Sequence, residues 1–277
     1  MKPGVARSIF LCGVGLALYA LCRTEPVLAR CLPHFPPGPA HFLFFFLTLI
    51  VMGFFWESHE WKKLIMVHHW PPTVCKEVQS NCSDPPDYWT IHGLWPDKGE
   101  ACNRTWHFDY REILDLLPDL KIYWPDVLHH SPNCTTFWKH EWDKHGTCAA
   151  QLDILNSEKK YFGKSLELYR QLSLNSVLRK LGIKPSTNYY EVADIKDALA
   201  SVYGVVPKVQ CLPPAQNEKV QIIGQIELCL TKELQLRNCS EPGDPAPLQA
   251  RVRRESHHLH VCEDGPVFYP PPEDTPH

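Results

Sequence analysis

Two segments hold the residues whose types and spacing could do chemistry. The first places His92 inside the run WTIHGLW, residues 89–95. The second, residues 137–148 (FWKHEWDKHGTC), gathers two histidines, a glutamate and two lysines into a helix-like stretch that breaks at Gly146. At about 100° per residue, Glu141 and His145 fall one turn apart on one face, with His140 and Lys144 as a ridge beside them, an arc of roughly 140°. A carboxylate next to a histidine raises its basicity and fixes its tautomer. Two histidines with a lysine and an acid suit phosphoryl transfer without a metal. One histidine takes a proton from a hydroxyl nucleophile, the other protonates the leaving oxygen, and the lysine steadies charge building on phosphorus. Nearby tryptophans offer stacking surfaces for bases.

Each segment also has a plainer reading. A single mid-strand histidine is most simply a core histidine satisfied by a hydrogen bond. A charged helix face with a Glu–His pair at i,i+4 is worth only a few tenths of a kcal/mol. The combination argues for a site: two histidine-bearing segments, Trp138 and Trp142 on the charged helix, and Gly93 leaving room beside His92 for close approach of a ligand backbone. A zinc protease motif needs histidines four apart around a glutamate, whereas His140 and His145 are five apart and diverge on an α-helix. There is no Cys-x-x-Cys pair, no Gly-x-Ser-x-Gly elbow and no Walker loop, so neither metal nor cofactor is expected.

The elements around these segments follow from periodicity. Residues 64–70 (LIMVHHW) read as a buried strand stopped by Pro71-Pro72, and 89–95 as a second strand stopped at Pro96. Residues 109–117 read as an amphipathic helix ending at Pro118, and 157–172, 174–181 and 192–203 as three more, the last two ended by Gly182 and Gly204. The period then changes: 205–212, 220–230 and 261–269 read as strands, with a proline- and charge-rich surface loop over 240–256. Strands, then helices, then strands give an α+β fold with an antiparallel sheet core and flanking helices.

With 277 residues, 44% hydrophobic and 21% charged, the chain can bury a sizeable core. A net charge of −3 gives no basic coat for nucleic acid, but 15 histidines would swing it to roughly +12 if most protonated near pH 5. An anionic partner would then be met best in acid. Lys2 and Arg7 precede the apolar run 9–21, the pattern of a signal peptide, assigned to residues 1–23. Residues 24–57 form an atypical leader around the apolar run 42–56, which is shorter than the ~20 residues of a spanning helix. That run reads as a second signal-like segment, a short anchor, or a stretch irrelevant to the mature fold. A single catalytic domain is placed at 58–277, monomeric, with no membrane partner unless 42–56 is retained. Nine of the 12 cysteines lie in the body. With sequons at Asn81, Asn103, Asn133 and Asn238, they point to a secretory route. Cysteine is the middle residue in all but the Asn103 sequon, which makes Asn103 the best glycosylation candidate, ahead of Asn133 and Asn238.

His92-Gly-Leu-Trp-Pro-Asp97 together with residues 137–148 resembles the two active-site segments of the ribonuclease T2 family, and the resemblance runs from about residue 60 to 272. It implies an acid endoribonuclease, secreted or lysosomal, that cleaves single-stranded RNA through a 2′,3′-cyclic phosphate. By motif, His92 and His145 match the acid–base pair, with His145 usually the base and His92 the acid. Glu141 and Lys144 match the groups that support the charged phosphorane, and His140 a phosphate-binding histidine. Trp95 and Asp97 match a first base pocket, and Phe137 a second-pocket aromatic. The resemblance also implies the bridges Cys75–Cys82, Cys102–Cys148, Cys211–Cys262 and Cys229–Cys239, leaving Cys134 over. One departure is that His68 and His69 stand where the family commonly has glutamine before the strand tryptophan. A protonated histidine only donates where an amide both donates and accepts, which leaves base preference open. A reading from another class, a secreted signalling or binding protein that does not depend on RNA cleavage, stands beside the enzyme.

Overall fold

The sheet grows outward from β1 (Leu64–His69), whose alternate side chains meet different environments. The computed structural model describes residues 60–77, 82, 85–129, 134–214, 219–240 and 258–272. The expected leader, the Asn81 and Asn133 sequon asparagines and nearly all of the 240–256 loop lie outside them. Leu64 and Met66 enter the main core with Leu228 and Leu230. Ile65 lines a cavity on the opposite face. The prolines after β1 do not end structure. They open a short helix, α1 (Pro71–Glu77), because the first helical turn needs no N–H from them.

Strand β2 (Thr90–Pro96) runs antiparallel to β1. The register pairs Val67 with Gly93 and His68 with Ile91, so His92 is an extra, bulged residue. A bulge resets the two-residue alternation and re-aims a side chain. Ile91 and Leu94, three apart, both enter the helix-side core. His92 and Trp95, also three apart, both face the cavity.

The segment expected to be a helix ending at Pro118 is a 3₁₀ turn, Tyr110–Leu116, running into α2 (Leu117–Tyr123). Pro118 sits in the first turn of α2, where proline is tolerated, rather than after a last one. The charged stretch forms α3 (Thr135–Glu141), a π-helical turn Trp142–Gly146, and α4 (Thr147–Ala149). Next comes α5 (Glu158–Leu172), capped by Ser157, which accepts a hydrogen bond from Lys160 N, and then α6 (Leu174–Lys180). Strand β3 (Tyr189–Glu191) leads into α7 (Val192–Tyr203), ended by Gly204 at φ +71.

β4 (Lys208–Leu212) and β5 (Gln221–Leu230) follow, then the short pieces β6 (Leu236–Arg237), β7 (His260–Val261) and β8 (Pro266–Phe268). The single strand expected over 261–269 is thus two, parted at Gly265, whose φ is +128. Among the described residues the sheet has eight strands: five follow the path β2-β1-β5-β4-β7, and β3, β6 and β8 lie off it, β6 and β8 pairing with β5 and β3 with β8. It is antiparallel apart from the β5–β8 pair. α5 covers the first half of the core and α6 and α7 the second. The Tyr161 and Tyr169 hydroxyls of α5 donate to Leu94 O and Trp89 O at 3.0 and 2.8 Å, which lock the helix layer to β2.

Among the described residues four disulfides close the fold: Cys75–Cys82, Cys102–Cys148, Cys211–Cys262 and Cys229–Cys239. The fold is therefore α+β and disulfide-stapled. Among the described residues no helix is long and apolar enough to cross a membrane.

Candidate active site

A cavity of about 400 Å³ opens where the bulged strand meets the π turn. His92 and Trp95 come from β2, His140, Glu141, Lys144 and His145 from the charged helix, and the loop 96–100 forms a rim. The cavity-facing bulge leaves the carbonyl of His92 without a ladder partner. Trp124 Nε1 donates to it at 2.9 Å, and Trp138 Nε1 of α3 donates to Trp124 O at 2.9 Å. Leaving that carbonyl unpaired would cost about 1–3 kcal/mol, so the two indoles tie the bulge and the charged helix into one unit.

The π turn answers the histidine spacing. Residues five apart diverge on an α-helix, but a π turn bonds i to i+5, and His140 and His145 line the same cavity. The carbonyl of Lys144 within the turn accepts from Ala101 N at 2.9 Å, and the Cys102–Cys148 bridge fastens the same loop to the helix end. Thr147 Oγ1 donates to Asp143 O at 3.0 Å. Cys134, buried at the start of α3, takes a hydrogen bond from Asp126 N through its sulfur at 3.5 Å.

Trp95 is the hub of the site. Its ring stacks on His145 at a centroid distance of 4.8 Å and 23°, and meets His92 edge-on at 4.7 Å and 73°. Its Nε1 donates to Glu141 Oε2 at 2.8 Å. The Glu141–His145 pair expected from helical spacing is therefore replaced. Glu141 bonds the indole, and Nδ1 of the buried His145 has no hydrogen-bond partner. The room at Gly93 is likewise filled from within. A Cβ there would lie 2.0 Å from Trp95 Nε1 and 2.4 Å from Glu141 Oε2, so the glycine admits this hydrogen bond rather than a ligand backbone.

Burial sets the charge states of the site. It pushes Glu141 up to about 8, against the Trp95 hydrogen bond and Lys144. Burial, then the charges of Lys144, His140 and His92, hold His145 down to about 3. Burial also takes His92 to about 4, although Gln225 favours the charged ring. His140, exposed at the rim, is lowered by desolvation and then by Lys144. Lys144 Nζ lies 3.5 Å from Glu100 Oε1. The site thus carries a carboxyl held neutral by burial and imidazoles whose charged form is disfavoured, with Lys98 and Lys144 in the same lining, a setting that suits an anion.

Of the other expected residues, Asp97 is on the cavity rim and the rest are outside the lining. Asp97 Oδ1 accepts from the backbone N–H groups of Lys62 and Lys63 at 2.7 and 3.2 Å, holding the start of β1. Phe137 is half-buried and outside the cavity lining, its ring 6.3 Å from that of His92. His68 is buried on the helix side against Tyr169, while His69 faces His92 at 5.0 Å. Asn103 is exposed, its Oδ1 accepting from Thr105 N and Oγ1. Asn238 Oδ1 accepts from Val206 N.

Sequence reasoning missed Gln225 and Glu227. Gln225 Oε1 lies 2.9 Å from His92 Nδ1, and Gln225 Nε2 donates to Glu227 Oε1 at 3.1 Å. Their signal was polar residues alternating with Ile226 and Leu228 in an otherwise apolar strand. Among the described residues no three His, Cys, Asp or Glu side chains gather in a way that could hold a metal ion.

The family profile of ribonuclease T2 matches residues 61–239. Ribonuclease T2 of Homo sapiens is 70% identical over 227 residues, 80% of this chain and 89% of that protein. Ribonuclease T2-A of Mus musculus is 57% identical over 287 aligned positions, covering all of both chains. Among solved structures, human RNase T2 superposes with a TM-score of 0.67 at 67% identity, over 77% of this chain and all of that one. RNase NT in complex with 5′-AMP superposes with a TM-score of 0.60 at 26% identity, over 76% and 99%.

Proposed function

The chain belongs to the ribonuclease T2 family and is an RNA-cleaving endoribonuclease, and we propose that it works by metal-independent transphosphorylation at the Trp95 hub. His145 takes the proton of the 2′-hydroxyl as its oxygen attacks phosphorus. His92 gives a proton to the departing 5′-oxygen, and a 2′,3′-cyclic phosphate forms. Lys144 and His140 hold the non-bridging oxygens. Glu141, neutral below about pH 8, supports the phosphorane as a hydrogen-bond donor, the role a carboxyl gains when burial keeps its proton. An entering phosphodiester lifts both histidines from their depressed values, because a nearby negative charge favours imidazolium. His92, the less depressed of the two, takes up the proton it donates, while His145 stays neutral as the base. Acid therefore favours the loaded site.

The observation that carries this reading is that one indole touches both histidines and fixes the buried carboxyl within the same cavity lining. The substrate is single-stranded RNA, whose unstacked bases can be splayed out onto aromatic rings. Base contacts fall to the open edge of Trp95, to Asp97 and, for the second base, to Phe137. The protein is a monomer on the secretory route, released or delivered to lysosomes, with Asn103 its principal glycosylation site.

The test is cleavage of an oligoribonucleotide by His92→Phe and His145→Phe. Each is expected to lower kcat by about 10²–10⁴-fold, the wild type to release a 2′,3′-cyclic product, and EDTA to change nothing. Undiminished activity in either variant would overturn the assignment.

A further inference from the structure

We propose that Gln225, oriented by Glu227, is a positioning residue that fixes the tautomer of His92, an inference that rests on His92 being a catalytic group. Glu227 is buried on β5. Its Oε2 pairs with Lys208 Nζ at 2.7 Å, and its Oε1 accepts from Gln225 Nε2 at 3.1 Å and from Gln210 Nε2. A carboxylate paired with an ammonium only accepts hydrogen bonds. The Gln225 atom facing it is therefore the NH₂, and the amide oxygen is turned to His92. That oxygen, 2.9 Å from Nδ1, requires a proton on Nδ1. Nε2 is left as the working nitrogen.

The assignment holds through the proton transfer. The Nε2–H bond breaks, its proton goes to the departing 5′-oxygen as the P–O5′ bond breaks, and the electron pair stays on Nε2. The ring keeps Nδ1–H on Gln225 before and after, so it need not turn over. A flipped amide would set NH₂ against Nδ1, select the opposite tautomer and direct a bare oxygen at a carboxylate.

The backbone is built for this. β5 carries its own bulge opposite β4, where Gln210 pairs with Gln225 and Cys211 with Ile223, leaving Gly224 extra. Ile223 and Ile226 both enter the second core, and Gln225 and Glu227 turn to the other face. A Cβ on Gly224 would lie 2.4 Å from Leu259 Cδ2. A polar ladder that merely stabilised the strand would have no reason to reach across β1 to a bulged histidine.

Nitrogen-15 histidine NMR of the full chain, above the titration of His92, should show a protonated Nδ1 and a bare Nε2. Gln225→Leu should lower kcat roughly 10- to 100-fold with KM held within about twofold. It should also move the alkaline limb of the kcat/KM profile to lower pH, because the lost bond favoured the charged ring. The other charged or titratable groups facing His92 are unchanged in that variant: His69 from β1, His140 and Lys144 from the charged helix, and His145 from its π turn. Should Gln225→Leu not fold, Glu227→Gln gives the same reading, since it frees the amide to flip and should split His92 between two tautomers. An Nε2–H tautomer in the wild type, or an unaltered tautomer and pH profile in either folded variant, overturns the inference. Activity in His92→Phe would instead sink the catalytic reading, so the two failures are distinguishable.

Discussion

Gly93 is where a single atom separates a working site from a broken one. Its missing Cβ leaves the space in which Trp95 Nε1 reaches Glu141 Oε2. In Gly93→Ala the indole must move, and with it the ring that touches both His92 and His145. The expected result is a kcat at least about tenfold lower, with a stability loss of about 1–3 kcal/mol from overpacking. Urea unfolding and steady-state kinetics on one preparation would measure both. Were activity kept while stability fell, the hub would be packing and not chemistry. The residues proposed to react were legible in the sequence, since His92, Glu141 and His145 stand out once the two histidine-bearing segments are taken together and set beside the family's motifs. Their partners were not. A Glu–His pair at i,i+4 was the natural reading of the helix. The indole that displaces it comes from another strand, and no local spacing announces that.

At the scale of elements, two irregularities aim the site, and both leave faint marks in sequence. Apolar Ile91 and Leu94 flanking His92-Gly93 cannot both face one core on a regular strand, and the β2 bulge resolves the conflict. Histidines five apart cannot share a face on an α-helix, and the π turn Trp142–Gly146 resolves that one. Gly146 is what the π turn demands, because a Cβ there would sit 2.3 Å from Cε3 of the buried Trp142. Gly146→Ala should therefore destabilise the protein by about 1–3 kcal/mol. It should also reduce kcat more than a Gly→Ala change with room for the methyl, such as Gly163→Ala, whose Cβ meets only Leu116 Cδ1 at 3.8 Å. Thermal unfolding and initial rates on the two variants side by side make the comparison. The long helices and β5 were readable because their periods extend over ten residues or more. The short strands β3 and β6 were not read at all, and β7 and β8 only as one merged strand, since so short a segment has no period and is held by its neighbours.

For the whole molecule, the buried titratable groups pull stability in opposite directions with pH. His68 and His92 are lowered to about 4, His145 to about 3, and His69 well below its ordinary value, all chiefly by burial. Between about pH 4 and 6.5 the unfolded chain binds protons that the folded chain refuses, so stability falls as pH drops through that window. Glu141, raised to about 8, and Glu158, raised to about 7, act the other way. The folded chain keeps protons that the unfolded chain has lost, and stability falls as pH rises from about 4.5 toward 8. Four histidines outweigh two carboxyls below pH 6.5, and only the carboxyls act above it. The melting temperature of the free protein should accordingly peak near neutrality and decline toward pH 4.5. A phosphate-bearing ligand changes the balance, because its charge raises His92 and His145 and converts their cost into binding. Inorganic phosphate should raise the melting temperature more at pH 5 than at pH 7, and His145→Phe should shrink that difference. Scanning fluorimetry at the two pH values decides it. An equal shift at both would mean that the histidines do not meet the anion, and that the acid preference expected of the loaded site has its source elsewhere in the molecule.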